Sequence, residues 1–138
     1  MYEVKVAAEF SAAHNLRGYL GKCEQLHGHN WKVEAVIRGE RLDKIGMLVD
    51  FKLVKSKLNS ILEGLDHKHL NRLSYFKKIY PARNKKSSKR KGKISNGVNP
   101  TSENIAKYIY IKLHPKVSGL ISLKVWESDS SSATYYGI

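Results

Sequence analysis

A single cysteine, Cys23, among 138 residues excludes an internal disulfide and fits a reducing, cytoplasmic setting. No stretch reaches the roughly 18 consecutive apolar residues of a membrane span, so no membrane association is expected. The opening segment, Tyr2 to Phe10, carries Glu3, Lys5 and Glu9 and does not read as a secretory signal. No internal repeat is visible, and the length suits one domain around one core. Acids are scarce, 12 against 25 Lys and Arg, giving a net charge of +13. Such a balance ordinarily raises nucleic acid as a partner. The charge is local, however: nine Lys or Arg and no acid lie between Lys77 and Lys93, and the rest is only mildly basic. Neither an RNA-recognition motif nor a row of stacking aromatics accompanies it, which disfavours an RNA-binding module. The helical His-Glu-x-x-His pattern of zinc hydrolases is missing too.

What the chain does have is Cys23-Glu24-Gln25-Leu26-His27-Gly28-His29, with His14 upstream. His27 and His29 begin an alternating run (His29, Trp31, Val33, Ala35, Ile37), and on a strand residues two apart share a face. Two imidazoles side by side and a third from a neighbouring strand make a three-nitrogen site with one position open. That is the usual arrangement for catalytic zinc, whose free position takes water or substrate. The alternative is that these are ordinary core or surface histidines. Cys23, four residues before His27, can reach the open side without being a ligand, as a nucleophile or base.

Along the chain, Tyr2 to Phe10 alternates as a half-buried strand. The small residues of Ser11-Ala12-Ala13-His14 suggest a bulge or bend. Arg17 to Lys22 reads as a loop, and His29 to Arg38 as a second strand ended by Gly39. Phe51, Val54, Leu58, Ile61, Leu62 and Leu65 recur at helical spacing, with Asp50 as N-cap rather than a catalytic acid. Asp66-His67 then reads either as a polar helix exit or as a carboxylate orienting an imidazole for proton transfer. The segment 74–98 is very basic, and Asn84 to Lys93 has no apolar residue; it is expected to be a solvated loop. Asn99-Pro100-Thr101-Ser102-Glu103 starts a second helix, with Ile105, Ala106, Ile109, Ile111 and Leu113 as its apolar positions. Leu120 to Glu127 and Ala133 to Ile138 read as two further strands. The order strand, strand, helix, helix, strand, strand implies an α+β domain, one antiparallel sheet backed by helices.

These segments together resemble the 6-pyruvoyltetrahydropterin synthase / 6-carboxytetrahydropterin synthase family. The resemblance rests on Phe10 to His14, Cys23 to Asn30, Gly46 to Phe51, Leu65 to Asn71, Asn99 to Asn104 and Val125 to Ser128, in order over nearly the whole chain. It implies the tunnelling fold, a four-stranded antiparallel sheet with two helices on one face. Three sheets close into a twelve-stranded barrel, and two trimers stack into a hexamer, which removes open sheet edges. It implies His14, His27 and His29 as ligands of Zn²⁺ and Cys23 as general base. Asp66 and His67 would be a proton relay reaching the site of a neighbouring subunit. Glu127 would accept from the donor edge of a pterin ring as a two-pronged charge-assisted pair.

The implied substrate is 7,8-dihydroneopterin triphosphate. The Cys-x-x-x-His-Gly-His spacing fits the branch that forms 6-carboxy-5,6,7,8-tetrahydropterin, on the route to 7-deazapurines such as queuosine. The alternatives are the pyruvoyl-forming branch, which serves tetrahydrobiopterin, and formation of 6-hydroxymethyl-7,8-dihydropterin, for which Glu24 beside Cys23 would act as base. The basic insertion departs from the family pattern, where this connection is short.

Overall fold

The computed structural model describes residues 1–77 and 97–137. Most of the basic segment, and the last residue of the strand expected to reach Ile138, lie outside the described residues. The elements are β1 (Tyr2–His14), β2 (His27–Gly39), α1 (Phe51–Leu62), β3 (Lys68–His69), α2 (Ser102–Leu113), β4 (Leu120–Ser128) and β5 (Ser131–Tyr136). They form one sheet in the order β3-β1-β2-β4-β5. All pairs are antiparallel except β1–β3, where Ala12 and Ala13 run parallel to Lys68 and His69. The expected four strands are therefore present, with a two-residue fifth that hydrophobic alternation cannot reveal.

The expected bend at Ser11–His14 does not occur. β1 continues straight through it, and its pairing with β2 runs unbroken from Tyr2 opposite Gly39 to His14 opposite His27. The ladder shifts register elsewhere, between Val36 and Ile37 of β2 and near Trp126 of β4. At the first of these, Gly119 (φ +83°) accepts a hydrogen bond from the Arg38 amide, and a Cβ there would stand 2.7 Å from the Arg38 carbonyl oxygen. Glycine meets both demands.

One sheet face carries the core. Val6, Phe10 and Ala12 of β1 and Trp31, Val33, Ala35 and Ile37 of β2 are buried there, as their two-residue period requires. α1 packs on β1, α2 packs on β4 and β5, and the helices touch each other. Asp50 caps α1 by accepting from the Lys52 amide, and Thr101 caps α2 by accepting from the Asn104 amide. Each cap contributes about 1 kcal/mol. α2 departs from the apolar pattern at one step. Ile111 is half exposed, and Tyr110 is buried instead, its hydroxyl donating to the Leu120 carbonyl. A tyrosine can occupy the core where its one polar atom finds an acceptor.

The opposite sheet face is charged. At its centre the buried Glu34 carboxylate lies 3.3 Å from Lys32 and 3.6 Å from Lys5, and accepts from the Trp126 indole. Burial alone would raise its pKa; the Lys32 hydrogen bond and the Lys5 charge hold it below the usual carboxylate range. Two sheet edges stay open among the described residues: β5, and β1 before Ala12. No helix is long and apolar enough to cross a membrane among the described residues.

Candidate metal centre

The pairing of His14 with His27 at the end of the β1–β2 ladder sets the site. His29, one two-residue step along β2, falls on the same side. The three rings stand edge to face with centroids 4.6 to 5.2 Å apart. Trp31, the next residue on that face, turns its ring against His14 and His29. From β4, Glu127 brings a carboxylate oxygen to 2.9 Å from His29 Nε2 and 3.4 Å from His14 Nε2. One donor atom from each of His14, His27, His29 and Glu127 lies within 4.8 Å of all the others.

The outer nitrogens of two rings are already committed. His14 Nδ1 is 2.7 Å from the Pro100 carbonyl oxygen, and His27 Nδ1 is 2.7 Å from that of Gln25. A carbonyl only accepts, so each Nδ1 carries the proton and each Nε2 keeps its lone pair. Second partners of this kind are what orient histidine ligands of metals. His14 Nε2 and His29 Nε2 are both buried with no well-formed hydrogen bond; what each faces is the Glu127 carboxylate oxygen, at 3.4 and 2.9 Å. Buried polar atoms left in this condition are rare and costly. A divalent cation would satisfy them, so the residues fit the metal that the spacing suggests.

Burial pushes the His14 imidazole below its ordinary value of 6.5, against the opposing pull of the Pro100 carbonyl. His29 is lowered for the same first reason, against the Glu127 charge. Neutral rings are the form that ligates. The sign for folding follows directly. An unfolded chain takes up these protons near pH 6.5, and the folded chain resists them to lower pH. Stability of the metal-free protein is therefore expected to be complete above about pH 6.5 and to fall as pH drops below it. Thermal melts with chelator at pH 7.5 and 5.5 test this; an unchanged midpoint would contradict it. Asp66 contributes in a different window. The Ser11 amide hydrogen bond, then that of His67, lowers its carboxyl below 3.8, so its effect is lost only at more acid pH.

Asp66 and His67 form the pair that their adjacency suggests. Asp66 Oδ2 is 3.0 Å from His67 Nδ1, and Oδ1 accepts from the Ser11 amide at 2.8 Å. His67 is the one non-glycine with positive φ among the described residues (57°), and its amide donates to the Ser11 carbonyl. That backbone state costs on the order of 1–3 kcal/mol and is a feature of functional positions. The His67 side chain is 82% exposed. A cleft of about 500 Å³ is lined by His67, His69 and His29 with Ser11 and Asn30.

Cys23 and Glu24 lie in a single 3₁₀ turn, Lys22–Glu24, inside the loop between β1 and β2. The Cys23 carbonyl accepts from the Leu16 amide, which folds that loop back on itself. Cys23 is half-buried and Glu24 exposed, and neither belongs to the group of four possible ligands. The sequence placed Glu127 only as a contact for substrate. Its position beside two imidazoles was missed, because the signal is a strand pairing across the sheet and not a local motif.

Comparison with known proteins gives the family. The family model for 6-pyruvoyl tetrahydropterin synthase matches residues 3–137. A 6-carboxy-5,6,7,8-tetrahydropterin synthase of Synechocystis is 34% identical over 92% of this chain and 87% of its own. A dihydroneopterin monophosphate aldolase of Pyrococcus furiosus is 30% identical over 88% of this chain and 86% of its own. The structure of Caenorhabditis elegans 6-pyruvoyl tetrahydropterin synthase superposes with a TM-score of 0.78 at 26% identity, covering 99% of this chain and 96% of that one. With the match running almost end to end, the chain belongs to the 6-pyruvoyl tetrahydropterin synthase family.

Proposed function

We propose that the protein converts 7,8-dihydroneopterin triphosphate to 6-carboxy-5,6,7,8-tetrahydropterin, releasing acetaldehyde and triphosphate, with Zn²⁺ held by His14, His27 and His29. The observation that carries this reading is the convergence of three imidazoles with the Glu127 carboxylate, two of the Nε2 atoms being buried and facing only that carboxylate. Zinc supplies Lewis-acid stabilisation of negative charge on the side-chain oxygens of the substrate.

The remaining steps fall to the chain's own groups. Cys23, on the loop that leaves and re-enters the site, removes a side-chain proton as thiolate. His67, oriented by Asp66, returns a proton. Glu127 pairs with the N–H and amino group of the pterin edge. In the free chain it rests against the imidazoles with its side chain about one-third exposed. The outward reach of His67 and the two open sheet edges support assembly through neighbouring copies, in a barrel of three sheets stacked as a hexamer. In that assembly the relay serves the neighbour's site.

The second reading is formation of 6-hydroxymethyl-7,8-dihydropterin. It is favoured by Glu24, which shares a turn with Cys23, and by a relative named an aldolase. Product analysis by mass on 7,8-dihydroneopterin triphosphate separates the two. Cys23→Ala is expected to lower the carboxy product by about 10²- to 10⁴-fold, the usual contribution of a placed base. Glu24→Ala is expected to leave that product and abolish any hydroxymethyl product. Carboxy product made by Cys23→Ala at the wild-type rate would remove Cys23 as base.

A further inference from the structure

The metal reading leaves open what holds His14 in place, since its fixed nitrogen rests on a carbonyl 86 residues away in sequence. Pro100 has no amide proton of its own with which to anchor that carbonyl. The neighbouring side chain does the anchoring. Asn99 Oδ1 accepts from the Arg17 amide at 3.0 Å, and Asn99 Nδ2 donates to the Arg17 carbonyl at 2.8 Å. One amide side chain thus pairs with backbone in both directions, as a strand would. Asn99 is held in turn, because its carbonyl accepts from Asn104 Nδ2 at 2.9 Å and from the Thr101 amide.

The consequence is a closed circuit. Leaving His14 along the chain, three residues lead to Arg17; the Asn99 amide crosses from there to the residue preceding Pro100. The Pro100 carbonyl then returns to the His14 ring. We propose that Asn99 is a positioning residue for the metal pocket, acting through His14 by latching the start of the β1–β2 loop to the cap of α2. This inference rests on the metal-dependent reading above. The hydrogen bonds of Asn99 go to Arg17, Thr101 and Asn104, and it is outside the group of four possible ligands among the described residues, so its effect is on where the His14 lone pair points, not on the number of ligands.

Zinc affinity of the purified chain, measured by competition with a chromophoric chelator, tests the latch. The visible spectrum of the Co²⁺-loaded chain adds a direct report on ligand geometry. Asn99→Ala is expected to weaken zinc about tenfold or more, the scale on which partners of metal ligands act, and to alter the cobalt bands. Asn99→Asp keeps the acceptor and loses the donor, and is expected to fall between; it also serves if the alanine variant fails to fold. In a His14→Ala background, Asn99→Ala is expected to add no further loss, because the coupled ring is gone. Wild-type affinity and spectrum in both Asn99 variants would overturn this inference and leave the metal reading standing. An undiminished loss in the His14→Ala background would overturn it as well. A wild-type chain that binds no zinc would overturn both.

Discussion

Replacing His27 with alanine is expected to strip the chain of its metal and reduce turnover of 7,8-dihydroneopterin triphosphate to background. Structural zinc sites with four protein ligands bind with roughly 10–16 kcal/mol, on the order of 3 kcal/mol per ligand, and the loss of one of three imidazoles is expected to be of that size. That is on the order of a hundredfold in affinity. His27 stands directly opposite His14 in the ladder, and its ring is aimed by the Gln25 carbonyl. Removing it leaves two imidazoles, His14 and His29, in the group. The variant should fold, because His27 lies at the end of its strand and is only half-buried. Metal content after desalting and a turnover assay check the result. One zinc per chain with wild-type turnover would remove the histidine trio from the mechanism.

Trp31→Ala is expected to lower folding stability by about 3–5 kcal/mol. Against a typical total of about 5–15 kcal/mol this leaves a marginal protein. Trp31 is wholly buried, stacks on Phe10 with nearly parallel rings 5.9 Å apart, and donates its indole N–H to the Ala12 carbonyl at 3.2 Å. It also forms the floor under His14 and His29, so the loss extends to the site. Trp31→Phe keeps most of the apolar volume and forfeits the hydrogen bond, and should cost about 1–3 kcal/mol, the penalty for a buried acceptor left unpaired. Urea unfolding of the metal-free variants measures both. A cost below about 1 kcal/mol for Trp31→Ala would mean that the core closes over the cavity, contrary to this account.

Much of this was readable in the amino-acid order because the signals are local. The two-residue period from His29 to Ile37 places four buried side chains on one face, as found, with His29 of the candidate metal group on the same side. Asp50 caps the first helix as its position announces, and the second starts within the segment Asn99 to Glu103 that announces it, with Thr101 as the cap. The failures have a common cause in distance along the chain. Small residues at Ser11–His14 read as a bend, because nothing nearby shows that β2 pairs with them. β3 is two residues long and exists only through Ala12 and Ala13. Glu127 reaches the imidazoles from β4, and Pro100 reaches His14 from the far side of the basic segment. Tyr110 displaces Ile111 from the core through one carbonyl, which an apolar count does not see.

The unbroken pairing of His14 with His27 has one more implication. An ion gripped by both would cinch the mouth of the loop that carries Cys23 and Glu24, much as a clasp shortens a strap. The untethered chain would then have fewer ways to open, and closing such a loop matters most to the unfolded ensemble. Reagent and scaffold would be one object: the cation that takes part in the chemistry would also keep the hairpin from sliding out of step, where a slip of a single residue would turn His27 and His29 to the wrong side.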